Sequence, residues 1–200
     1  HSQTLMVMAE DLLKVCGKTA SDVTHLAVAA GPGSFTGVRI GAATLKGLAF
    51  DTQKPCIGVS TLEALAYNLN IVNGLVCPVM NARRKQVYTA LFRYQNGQAE
   101  RLLPDSAIAI AELDEILKQY GDPVYLTGDG YSITEELLTH KIIPTPERLR
   151  HQSAYSVAQI ARKAYTEGTV TTDSEMVPTY LRPSQAERER AEREGRGVLL

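Results

Sequence analysis

Residues 30–42 read AGPGSFTGVRIGA, four glycines and a proline between an apolar run and a helix-like run. A glycine loop that opens a helix after a strand presents backbone N–H groups, whose partial positive charge attracts anions. Gly31, Gly33, Ser34 and Thr36, with Arg39 close in sequence, are the candidate anion-binding residues. Neither nucleotide-loop spacing is met. The run from Gly31 to Gly37 is one residue too long for G-x-G-x-x-G, and Gly37 is followed by Val38-Arg39 where a Walker loop has Lys and a hydroxyl.

A different spacing is present. Gly33, Gly37 and Gly41 recur every fourth residue, so Gly37 and Gly41 share a helix face with Gly33 leading into it. Glycine costs about 1 kcal/mol relative to alanine inside a helix, and close approach of another backbone compensates. That backbone belongs either to the protein's own sheet or first helix, or to a partner's helix. The first helical segment bears on the choice. Leu5, Met8, Ala9, Leu12 and Cys16 fall on one face, with Met6 and Leu13 beside it, a stripe wider than one core contact requires. Leu5, Met8, Leu12, Gly37, Ile40, Gly41 and Thr44 are therefore the candidate partner-binding residues. A bulky or charged replacement at Gly41 is expected to break pairing with the fold mostly intact.

Other chemistry is sparse. Ser34, Thr36, Ser60 and Thr61 are hydroxyls at helix starts, where capping accounts for them. His1, His25, His140 and His151 are scattered, with no spacing for a metal pair or a nucleophile–base set. No catalytic residue, metal site or cofactor is therefore assigned. Cys16, Cys56 and Cys77 lie in apolar segments without C-x-x-C spacing, which predicts buried thiols in a reducing compartment. Arg83-Arg84 could meet phosphate or an acidic partner, or form a solvated turn. Gly128-Asp129-Gly130 reads as a tight strand-to-helix turn with Asp129 capping the helix.

The elements that must carry these residues follow from periodicity. Helices are expected over residues 1–16, about 38–50, 60–69, 111–120, 134–139 and 156–167, and strands over 25–30, 56–60, 75–80, 86–94, 98–103 and 123–128. Ile142-Ile143 is a short apolar pair, Ser60 with Glu63 forms a capping box, and Asn96-Gly97 marks a hairpin. From Leu75 the order is β-β-β-α-β-α-β-α, whereas from His1 it is α-β-α-β-α. The halves match if the first lacks its three leading strands, so a duplicated α/β unit with roughly 30 residues absent upstream is expected. The boundaries are residues 1–73 for an incomplete first lobe, 74–170 for the second, and 171–200 for a C-terminal segment with a charged tail. A formal charge of −1 gives no bulk field for gripping nucleic acid unaided. No signal peptide or transmembrane span is legible, and a cytoplasmic protein is expected.

The motifs GPGSFTGVRIG after a strand, VSTLEALA, NARRKQVYTALF, TGDG and VPTYLRPSQAE occur in the order seen in the TsaB (YeaZ) family, which the chain resembles over nearly its whole length. The resemblance implies a duplicated actin-like/ribonuclease H-like (ASKHA) fold. It implies an accessory role, with no catalysis of its own, beside a TsaD-type catalytic subunit and a TsaE-type ATPase in tRNA threonylcarbamoyladenosine formation. The chain would form a homodimer when alone and meet tRNA only through the complex. Asn81 stands where that family commonly has aspartate, and an amide supplies no charge for Mg²⁺ or a general base. Gly128-Asp129-Gly130 falls where actin-like ATPases contact adenosine. The competing readings are an active ASKHA-type ATPase or kinase, and a stand-alone nucleotide or anion module at residues 31–37.

Overall fold

A computed structural model describes residues 2–182 and Arg193; His1 and the rest of the charged tail lie outside the described residues. By internal contacts the chain divides into two compact units, His1–Ala64 with Gln152–Pro178, and Leu65–His151 with Thr179–Leu200.

The first unit holds α1 (Ser2–Val15), β1 (Leu26–Gly31), α2 (Phe35–Ala49), β2 (Cys56–Ser60), the start of α3 (Thr61–Tyr67) and α6 (Ala154–Thr166). β1 and β2 pair in parallel, joined by the α2 crossover that parallel neighbours require. Alternation along β2 sends its side chains to two layers. Cys56 packs with Ala42, Leu45 and Ala49 of α2, while Ile57 and Val59 pack with Val157, Ile160 and Ala161 of α6. α6 thus packs with the first unit, although it follows the second sheet in sequence.

The second unit holds β3 (Gly74–Asn81), β4 (Gln86–Gln95), β5 (Gln98–Ala109), α4 (Ile110–Tyr120), β6 (Val124–Thr127), α5 (Tyr131–Leu137) and β7 (Ile142–Ile143). Its sheet runs β5-β4-β3-β6-β7, antiparallel on the β4–β5 side and parallel through β6 and β7. β3 is central, and every residue from Leu75 to Met80 is buried. α4 lays Ile110, Leu113 and Leu117 on Cys77, Val79, Val87, Leu91 and Leu126. Asn96 and Gly97 both take positive φ, 52° and 76°, which matches the strand twist of a tight hairpin. β5 runs six residues past the expected Leu103, and Pro104 is tolerated there because β5 is an edge strand with irregular register.

Other expectations are corrected. α3 is regular only to Tyr67, because the next N–H groups bond three residues back, and Asn68 Nδ2 donates to the carbonyls of Leu149 and His151. α5 begins at Tyr131 and ends at Leu137, not 134–139. The early end is set by Asp114, whose carboxylate accepts the N–H groups of Thr139 and His140 (2.8 Å each) and the Thr139 hydroxyl (2.6 Å). Cys16 is exposed, since no residue of α1 from Thr4 onward is buried, whereas Cys56 and Cys77 are buried as expected.

Asp114 sits beside the apolar stripe of α4 and is buried. Burial alone would raise its pKa, but Lys118 Nζ at 2.8 Å and the donors of Thr139 and His140 outweigh that and hold it well below the usual carboxylate range. A depressed folded pKa contributes stability that is fully present above the unfolded value of about 3.9, and the contribution is lost as pH falls from there through the folded pKa. Asp114→Asn is therefore expected to cost about 2 kcal/mol at pH 7 and less at about pH 2, closer to the depressed folded pKa at which the native carboxylate is protonated. Urea titrations of both proteins at the two pH values check this, and an equal cost at both contradicts it.

Candidate functional site

The glycine loop joins β1 to α2. Gly31 (φ 122°) and Pro32, linked by a cis peptide, are both buried, so the loop starts inside the packed body of the first unit. Gly33 is half-buried, and a Cβ there would sit 3.2 Å from Val38 Cγ2. Ser34 is the N-cap of α2: its Oγ accepts from Gly37 N–H, and its carbonyl accepts from Val38 N–H. Two of the first-turn donors are thereby used within the loop. The Arg39 guanidinium lies 3.9 Å over the Phe35 ring. Ser34, Thr36 and Arg39 are exposed. The local chemistry is that of a capped helix start, with the arginine stacked on its own helix.

α2 buries Val38, Ala42, Leu45 and Ala49. Gly37 is exposed, and Ile40, Gly41 and Thr44 are half-buried along the flank of that stripe. The two glycines differ. A Cβ at Gly41 would come within 3.0 Å of Val28 Cγ2 on β1, whereas one at Gly37 would meet only Ser34, at 3.5 Å. Gly41 therefore serves close packing of α2 on the protein's own sheet, and Gly37 is the helical glycine that faces outward. A residue with a Cβ at Gly41 would therefore have to push Val28 aside, which weighs against the expectation that a large residue there would spare the fold.

α1 is more exposed than an amphipathic core helix. Ala9 and Leu13 are half-buried, while Met8 (67%), Leu12 (64%) and Val15 (85%) stand outward, with Leu5, Met6 and Val7 also exposed. Leu5, Met8, Leu12 and Val15 share one helix face at spacings of three and four, and exposed apolar faces of this kind mark interaction sites. The first unit also has a groove of about 490 Å³ between β1 and α6, lined by His25, Ala27, Ala29, Ala154, Val157 and Ala161. His25 stacks on Tyr165, ring centres 4.3 Å apart. Among the described residues β1 pairs only with β2, so its other edge carries no strand partner.

In the second unit the two singled-out turns meet. Asp129 does not cap α5, whose N-cap is Gly130; its Oδ1 instead accepts from Asn81 N–H at 3.1 Å. Gly130 N–H donates to Val79 O (3.0 Å), and a Cβ at Gly128 would lie 2.1 Å from that oxygen. The glycines thus let this turn press on the end of β3. Asn81 Oδ1 accepts from Arg83 N–H (2.8 Å), so the amide is occupied in shaping the β3–β4 turn. Arg83, Arg84 and Lys85 then follow with φ of 64°, 52° and 56°. Sequence reading flagged the arginines but not this run of left-handed residues, nor Arg182, which donates to Ala82 O from 100 positions away at 2.8 Å.

Neither buried thiol offers a nucleophile: burial pushes Cys77 up to about 12 despite its contact with Thr89, and burial also raises Cys56. Among the described residues no group of three His, Cys, Asp or Glu side chains is placed to hold a metal, and no helix is long and apolar enough to cross a membrane.

These features agree with comparisons to known proteins. The family model described as TsaD, tRNA N6-adenosine threonylcarbamoyltransferase, matches residues 1–190. The tRNA threonylcarbamoyladenosine biosynthesis protein TsaB of Bacillus subtilis is 40% identical over 138 residues, 69% of this chain and 60% of that protein. The TsaB of Escherichia coli is 30% identical over 190 residues, covering 93% of this chain and 82% of that protein. The solved structure of YeaZ from Pseudomonas aeruginosa superposes with a TM-score of 0.78 at 26% identity, over 90% of this chain and 85% of that one. The chain belongs to the TsaB (YeaZ) family.

Proposed function

We propose that this chain is a non-catalytic, cytoplasmic scaffold in tRNA threonylcarbamoyladenosine formation, which supports a TsaD-type catalytic protein by pairing with it. The names of its relatives carry the pathway. The observation that carries the pairing is α1, whose Leu5, Met8 and Leu12 are exposed although apolar. Gly37, Ile40 and Thr44 extend the contact along α2, and Gly41 keeps α2 close to β1 so that this flank is shallow. An interface needs such an apolar centre, because desolvating large side chains supplies most of its free energy. Alone, the same surface closes on a second copy, and a TsaE-type ATPase joins through the complex.

The fold reading that goes with this is a duplicated actin-like/ribonuclease H-like architecture, lobes at residues 1–73 and 74–170, the first without its leading strands. Parallel β1–α2–β2 resembles parallel β6–α5–β7, and the open edge of β1 supports a shortened first sheet. The engagement of Asn81 with Arg83, and of Asp129 with Asn81, supports a structural turn over an ATPase centre.

Size-exclusion chromatography with light scattering, on the chain alone and mixed with its TsaD-type partner, tests the scaffold reading. A heterocomplex formed at the expense of a homodimer is expected. Two species that pass each other unchanged would refute it.

A further inference from the structure

We propose that the β3–β4 turn is an RNA-phosphate contact, through which this chain touches the tRNA directly within the assembly. The inference rests on the tRNA-modification reading above and departs from the expectation that tRNA is met only through other subunits. Arg83, Arg84 and Lys85 are consecutive, exposed and in the left-handed region, a conformation that costs roughly 1 kcal/mol or more per non-glycine residue. Such strain persists only where surroundings impose it. Here they do. Asp129 holds Asn81, Asn81 holds Arg83, Ala82 N–H donates to Gln86 O, and Arg182 donates to Ala82 O.

The same bonds decide what the turn can offer a ligand. The carbonyls of Ala82, Arg83 and Lys85 are taken by Arg182, Gln86 and Ile110 respectively. The N–H groups of Arg84 and Lys85 have no acceptor among the described residues, and no described carboxylate pairs with the three side chains. What remains is a set of donors carrying three positive charges, which suits an acceptor-rich anion. A net charge of −1 for the chain does not oppose this, because charges beyond about 8 Å are screened at physiological salt. The turn carries no large apolar side chain to anchor a protein segment, and the forked arginines match phosphate oxygens. A nucleic-acid backbone is favoured on both counts.

The test is tRNA binding by the assembled complex with the TsaD-type partner, followed by fluorescence anisotropy of a labelled tRNA transcript across a salt series. Arg84→Gln/Lys85→Gln keeps side-chain length and backbone demand, and matched thermal unfolding verifies its fold. Expected are an affinity loss of about tenfold at low salt and a shallower salt dependence, the slope of log K against log salt falling by about 1.5 to 2. Unchanged affinity and slope overturn the proposal. So does loss of assembly with intact folding, which would assign the turn to an acidic protein surface, and so does erasure of the difference by ATP at matched phosphate concentration, which would assign it to a nucleotide. If the wild-type chain does not assemble with the partner, the scaffold reading fails by itself. The same titration on the full chain alone then decides the phosphate contact.

Discussion

Gly128→Ala is expected to destabilise the second unit severely. The added Cβ would stand 2.1 Å from Val79 O and 2.9 Å from Val79 C, both backbone atoms of the central strand β3. Side chains can rotate away from a clash, but this carbonyl cannot. It accepts the Gly130 N–H, and its strand is paired on both sides with β4 and β6. The φ of 109° adds a conformation that residues with a Cβ rarely adopt. Sterics and backbone together place the change among the largest single-residue effects, about 4 kcal/mol or more. A domain of ordinary stability has about 5–15 kcal/mol in total, so the melting temperature is expected to drop by more than about 15 °C. Gly121→Ala is the control. It also has positive φ (73°), at the end of α4, yet a Cβ there meets nothing within 4 Å, so about 1 kcal/mol is expected. Thermal and urea unfolding of both variants make the comparison. Equal costs would mean that the turn does not press on β3.

The difference between these two glycines is invisible in the sequence, where each simply follows a regular element. Local pattern was legible. The alternation of β4, the Asn-Gly hairpin and the helical stripe of α2 each follow from neighbours in the chain, and the structure places them where periodicity does. What sequence could not supply were contacts between distant residues. Asp114 stops α5 from 25 positions away, and Arg182 braces a turn 100 positions away. No local propensity encodes either contact. The candidate site divides in the same way. Spacing identified Gly37 and Gly41 as one helix face, but only the position of Val28 tells which of them looks inward. The apolar excess of α1 was readable as a stripe too wide for one core contact. That Ala9 and Leu13 take the inward side, leaving Met8 and Leu12 out, required the fold.

That outward pair carries the second large effect. Met8→Glu/Leu12→Glu is expected to weaken association with the TsaD-type partner by about 100-fold or more while leaving the monomer's melting temperature nearly unchanged. Both side chains are about two-thirds exposed, so their replacement removes little from the core. The like charges one turn apart cost the free helix only about 0.2–0.5 kcal/mol. In an apolar interface the same carboxylates would have to shed water without partners, a penalty of several kcal/mol, and each 1.4 kcal/mol is about tenfold in affinity. Isothermal titration with the partner, beside thermal unfolding of the chain alone, separates the two. Unchanged affinity would exclude α1 from the interface. Gly37→Leu sharpens the result, because its side chain leaves toward solvent and replaces a costly helical glycine, by about 1 kcal/mol on the propensity scale. If a partner's backbone approaches there, this variant melts higher and binds worse, a pair of opposite shifts that damage to the fold cannot produce. Gly41→Leu has no such power, since it must first displace Val28 from beneath α2.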